Sequence, residues 1–207
     1  MNIREELARY RLVPVISLND AKDAAPLGEA LVNGGLPVAE VSFRADTAEE
    51  TIRVLAHRFP EIVLGARGLA TLEQARRALA SGAQFLVTAG FSPRIVEYCL
   101  SAHIPVFPGV CTPSELLWLL NYELSVAEFF PAEQFGGLAT VKALGEPYPD
   151  IKFLPTGGVS AKNAAAYLAC PKVLACGVSW MTEDSLIAAG KFDEIEKLAA
   201  KAVSLAG

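Results

Sequence analysis

The chain has 207 residues, 52% of them apolar and 20% charged, with a formal net charge of −5. That length suits one domain with a substantial core, read as residues 1–207. The acidic balance argues against nucleic acid and anionic membrane as partners, since both select basic surfaces. No apolar run reaches the ~18 residues of a membrane span, and the start, M-N-I-R-E-E-L-A-R-Y, lacks the apolar stretch of a signal peptide. Cys99, Cys111, Cys170 and Cys176 have no metal-ligand spacing and read as reduced packing residues of a cytoplasmic protein.

Taken in order, Ile3 to Tyr10 is an amphipathic helix and Leu12 to Ile16 the first strand. Asn19-Asp20 cap a helix that ends at Gly34-Gly35. Pro37 to Phe43 is strand two, followed by a helix from Asp46-Thr47 to Phe59-Pro60. Ile62 to Ala66 and Gln84 to Thr88 are strands three and four, with helices over Thr71 to Ser81 and Ser92 to Ala102. Pro105 to Phe107 is strand five, and its helix runs from Thr112 to Asn121. Strand six is Val126 to Phe130, with a helix over Gly137 to Leu144. Lys152 to Leu154 is strand seven, Ser160 to Ala169 its helix, and Val173 to Cys176 strand eight. Helices at Glu183 to Ala189 and Phe192 to Leu205 close the chain. Eight strand–helix units in strict alternation predict an α/β fold, a (β/α)8 TIM barrel. The competing reading is an open doubly wound sheet, for which the chain lacks a Gly-x-Gly-x-x-Gly turn.

In such a barrel the chemistry sits at the C-terminal strand ends. Alternation along strand two places Val38, Glu40, Ser42 and Arg44 on one face. Strand six carries one carboxylate, Glu128, between Val126 and Phe130, where a buried parallel strand should be apolar throughout. It therefore faces a cavity or costs stability. Strand seven ends in Gly157-Gly158 and strand eight in Gly177-Val178-Ser179, turns whose amides suit an anion.

Several stretches together resemble the 2-keto-3-deoxy-6-phosphogluconate (KDPG/KHG) aldolases. They are V-P-V-I at 13–16, A-E-V-S-F-R at 39–44, F-P-G-V-C-T-P-S-E at 107–115, F-F-P-A-E at 129–133 and F-x-P-T-G-G-V-S at 153–160. The resemblance spans nearly the whole chain and implies a barrel, a small-molecule substrate, no cofactor and a homotrimer. It matches Glu40 to the family's proton-moving glutamate and Arg44 to the arginine at the substrate carboxylate. Gly157, Gly158 and Ser179 match its phosphate grip. Leu116, Leu117, Trp118 and Leu120 crowd one helix, as core or as a trimer contact.

Departures from the family pattern cluster at strand tips. Where the family has the Schiff-base lysine, this chain has Glu128. The third tip reads Gly65-Ala66-Arg67-Gly68-Leu69 instead of Gly-Ala-Gly-Thr-Val, strand four ends Thr88-Ala89 instead of Ser/Thr-Pro, and Val178 replaces a glycine. Such clustering reads as a remodelled pocket or loss of its original use. A carboxylate forms no imine, so aldol cleavage through one is expected to be absent. For Glu128 three readings stand open. It is a base of raised pKa, desolvated by Phe130, Val126, Leu69 and Val178, that takes a proton from a small apolar substrate. It is an inert partner of Arg67 or Arg44. Or it holds a metal with Glu40, for which Mg²⁺ fits two carboxylates better than zinc. Arg44, Arg67, Phe130, Gly157, Gly158, Val178 and Ser179 are the substrate-binding candidates, Glu128 and Glu40 the catalytic ones, and no metal is expected. The alternative is an inactive scaffold or assembly subunit.

Overall fold

In the computed structural model, which describes residues 2–206, strands and helices alternate along the chain. The strands are β1 (Leu12–Ile16), β2 (Val38–Ser42), β3 (Val63–Leu69), β4 (Phe85–Thr88), β5 (Val106–Phe107), β6 (Gly109–Val110), β7 (Val126–Phe129), β8 (Lys152–Pro155) and β9 (Cys176–Val178). The helices are α1 (Ile3–Tyr10), α2 (Ala24–Asn33), α3 (Ala48–Arg58), α4 (Leu72–Ala80), α5 (Pro93–Ser101), α6 (Pro113–Asn121), α7 (Gly137–Gly145), α8 (Ala164–Leu168), α9 (Asp184–Ala188) and α10 (Phe192–Ala206). Helix starts follow local chemistry. Thr71 with Gln74, and Thr112 with Glu115, form reciprocal capping boxes. Pro93 and Pro113 stand at first-turn positions, where no N–H is needed.

Every strand pairing is parallel, which makes this an α/β fold with helical crossovers. One sheet has the order β5-β4-β3-β2-β1-β9 and the other β6-β7-β8. They approach at two seams. Thr156, just past β8, bridges Gly177 of β9. At the other seam β5 and β6 flank Pro108, whose carbonyl accepts from the Glu128 amide at 2.9 Å. A proline donates nothing to a ladder, so β5 stops at Phe107, where the sequence reading ended its fifth strand, and a further short strand, β6, follows Pro108. Apolar side chains pack the layer between sheet and helices. Phe129 against Phe153, with ring centroids 6.4 Å apart at 78°, is one such edge-on pair.

Three differences from the sequence reading bear on the site, while Asp20 caps a 3-10 turn over Ala21–Asp23 ahead of α2 rather than α2 itself. β3 continues to Leu69, so Arg67 lies within the strand, paired beside Ser42. β9 begins at Cys176, and Val173 makes only an isolated bridge to Phe153. The helix expected from Ser160 starts at Ala164, because the Asn163 side chain accepts from the Ser160 amide at 2.7 Å and holds that stretch as a loop.

Candidate active site

Parallel pairing and alternation bring three charged side chains together inside the sheet. Glu40 lies opposite Gly65, and Arg67 follows two residues further along β3. Glu128 of β7 stands opposite Gly109 and Leu154. Glu40, Arg67 and Glu128 are only 3%, 5% and 1% exposed. The Arg67 Nη2 donates to Glu128 Oε1, and its Nε lies 3.2 Å from Glu40 Oε2. The latter is a charge contact without an aimed hydrogen bond: Arg67 Nε, Glu40 Oε2 and Glu128 Oε2 are all buried without a hydrogen-bond partner. The guanidinium also lies over the Phe130 ring, with Cζ 5.3 Å from its centroid, a cation–π contact.

Two carboxylates thus converge on one guanidinium out of water. Burial raises the Glu40 pKa to about 7, with the Arg67 charge opposing and the Glu128 charge adding to the rise. Burial likewise raises Glu128, against the pull of Arg67 and smaller ones from Thr156 and Arg44. Thr156 nonetheless aims its hydroxyl at the Leu154 carbonyl, 3.5 Å away, and leaves Glu128 Oε2 bare. Burial pushes Arg67 down, but Glu128 and Glu40 outweigh it and raise it overall. The apolar surround expected for Glu128 is therefore corrected in one respect. Because β3 runs three residues past Ala66, Arg67 points inward and meets the carboxylate.

Arg44 lies on the turn after β2, exposed, at the mouth of a cavity of about 40 Å³ lined with Arg67, Gly68, Ala89, Glu128 and Phe130. Outward from Arg44 a wider cleft of about 430 Å³ reaches Glu49, Gln74 and Arg77. No lysine lines the small cavity. Lys152 and Lys172 instead donate to the carbonyls of Pro171 and Tyr148. Among the described residues no group of three or more potential metal ligands occurs. The guanidinium lies where a cation shared by Glu40 and Glu128 would stand.

Gly157 and Gly158 do not line this cavity. They sit at φ 96° and 82° on the adjoining tip, with amides that make no hydrogen bond among the described residues. A side chain at 158 would meet Glu133 Cγ at 2.5 Å, and the Gly158 carbonyl accepts from Asn163 at 3.2 Å. Ser179 is exposed nearby on the neighbouring tip. Val178 does not line this cavity either. Its side chain is 2% exposed, packed within β9 opposite Pro14. Sequence reasoning passed over Thr156, inside the quoted T-G-G-V-S stretch, and Asn163, three residues beyond it; the period-two count from Leu154 would have pointed Thr156 inward.

A profile described as "Aldolase: KDPG and KHG aldolase" matches residues 3–198. The chain belongs to the KDPG and KHG aldolase family. It is 42% identical over 207 residues to the 2-dehydro-3-deoxy-phosphogluconate aldolase of Treponema pallidum, covering 100% of this chain and 99% of that one. Against the Haemophilus influenzae aldolase of the same description it is 40% identical, over 98% and 96%. The crystal structure of the Legionella pneumophila KDPG aldolase, with pyruvate captured at low pH as a covalent carbinolamine, aligns with a TM-score of 0.94 at 33% identity. That alignment covers 98% of each chain. No helix among the described residues is long and apolar enough to cross a membrane.

Proposed function

We propose that this aldolase-family chain carries Glu128 in place of the imine-forming lysine, has lost cleavage through a Schiff base, and uses its pocket for general acid–base proton transfer. The substrate in this reading is a small 2-oxo acid, and the proton comes from the carbon beside its carbonyl. The observation that carries the proposal is Glu128. It is buried in the cavity wall with Oε1 held by Arg67 and Oε2 unpartnered, and no lysine is within the lining. A held carboxylate of raised pKa has the geometry and basicity for proton abstraction. About 40 Å³ is room for about three waters, which suits a three-carbon acid. Two guanidinium groups in the lining favour an anion over the apolar substrate suggested by sequence. The Legionella relative's captured pyruvate supports the same class.

A second reading keeps one observation in its favour. Arg67 reaches both carboxylates, and a base already bonded to a guanidinium is weakened, so the chain could be an inactive scaffold. Deuterium exchange at the methyl group of pyruvate, followed by NMR, separates the two. The acid–base enzyme exchanges it, and Glu128→Gln slows exchange at least ~100-fold. Borohydride with pyruvate leaves the intact mass unchanged. Absence of exchange favours the scaffold, and a borohydride adduct overturns the loss of the imine route.

In the same reading the two sheets are arcs of one (β/α)8 barrel forming a single domain, which the two seams support. Leu117, Trp118 and Leu120 on α6, 53%, 50% and 41% exposed, supply an apolar face for a homotrimer of a cytoplasmic enzyme.

A further inference from the structure

We infer, resting on the reading that the pocket takes a small 2-oxo acid, that the site binds its anionic ligand together with one proton. In this scheme Arg67 shares its donors with the ligand while either Glu40 or Glu128 holds the proton. The geometry supplies each part. Arg67 uses Nη2 on Glu128 and turns Nε towards Glu40, and its Nη1 makes no hydrogen bond among the described residues. Arg44 forms no ion pair among the described residues and stands at the same mouth. These two groups offer a carboxylate its donors.

The obstacle to an entering anion is Glu128 Oε2, bare and buried in the cavity wall. Two carboxylates at contact distance out of water do not both stay ionised. Held on Glu128, the proton makes that residue a donor towards the ligand instead of a repelling charge; held on Glu40, it leaves Glu128 ionised as the base that the proposed reaction needs. The proton comes from solvent and returns to it when the ligand leaves. Glu40, 3.2 Å from the same guanidinium, is the other place for it.

Among the described residues, no other titratable group on the surrounding strands competes. β1, β4, β5 and β6 carry none in their sequences. On β8 the Lys152 ammonium is turned to the Pro171 carbonyl, and on β9 the Cys176 thiol sits near Arg11 and Tyr167. The charged groups facing Glu40 and Glu128 are thus Arg67 from β3 and Arg44 from the turn after β2. An anion bound with a proton binds best at low pH, and its affinity falls as pH passes the value of about 7 at Glu40.

Titration calorimetry with pyruvate between pH 5.5 and 9, in buffers of different ionisation enthalpy, tests this. About one proton should be taken up per pyruvate at pH 8, and Kd should weaken about tenfold per pH unit above about 7. The doubly substituted Glu40→Gln, Glu128→Gln protein, with its fold checked by circular dichroism, should bind with a flat pH profile. A flat profile or zero proton uptake in the parent overturns the inference, and so does absence of pyruvate binding at pH 6. The parent's proton count stands even if the double variant fails to fold. Proton-linked binding without deuterium exchange would sink only the catalytic reading; exchange with a flat Kd profile would sink only this inference.

Discussion

Glu40→Gln should make the protein more stable at pH 8 and leave it nearly unchanged at pH 5. Glu40 is buried, and its nearer oxygen has a charge contact but no aimed hydrogen bond. Burial therefore lifts its pKa from an ordinary 4.5 to about 7. A carboxyl group raised in the folded state stabilises the fold while both states hold the proton. That stability is lost as pH rises from the unfolded value through the folded one. At about 1.4 kcal/mol per pH unit, the span from 4.5 to about 7 amounts to about 3 kcal/mol. Glutamine removes the titration and leaves Arg67 balanced one to one by Glu128. Urea melts from pH 5 to 8.5 should show the parent losing about 3 kcal/mol relative to the variant. In thermal melts that is a gap of about 6–12 °C at pH 8 for a chain of this size. Parallel profiles would refute the reasoning, because they would mean that Glu40 is solvated or fully paired.

Arg67→Met should act in the opposite direction. It leaves Glu40 and Glu128 facing each other without a cation, and breaking a buried pair this way costs about 3–5 kcal/mol. The loss should be largest at pH 8 and shrink towards pH 5 as the carboxylates take up protons, which urea melts at the two pH values would show. Glu128→Lys alone should not restore pyruvate release from 2-keto-3-deoxy-6-phosphogluconate. The new ammonium would stand against the Arg67 guanidinium, which now bonds residue 128. Returning the family's threonine to position 68 should not help either. Gly68 sits at φ 74°, a conformation that strains a β-branched residue. Substantial pyruvate release from the Glu128→Lys single variant would show that Arg67 leaves the site readily.

Much of this protein is legible in its residues one at a time. The first helix and first strand fall where local patterning puts them, at Ile3–Tyr10 and Leu12–Ile16. A lone carboxylate in the apolar run around Glu128 marks the site, because a buried strand tolerates such a group only beside a cavity or a partner. Alternation along β2 turns Glu40 inward, where it is buried. That residue 128 is a carboxylate and forms no imine is equally a matter of residue type, since no fold makes a carboxylate into a nucleophilic nitrogen. What partner Glu128 meets is a different kind of fact. Arg67 is 61 residues away in the chain, and it reaches the carboxylate only because β3 pairs with β2 as far as Ser42 and Arg67. A strand stopping at Ala66 would have left it outside the ladder. Likewise Val178 stands among the binding candidates by motif alone, and it is packing in β9 that buries its side chain. The titration of the pair is decided later still. Desolvation raises both carboxylates and one guanidinium lowers them, and the balance depends on distances that only the assembled sheet sets.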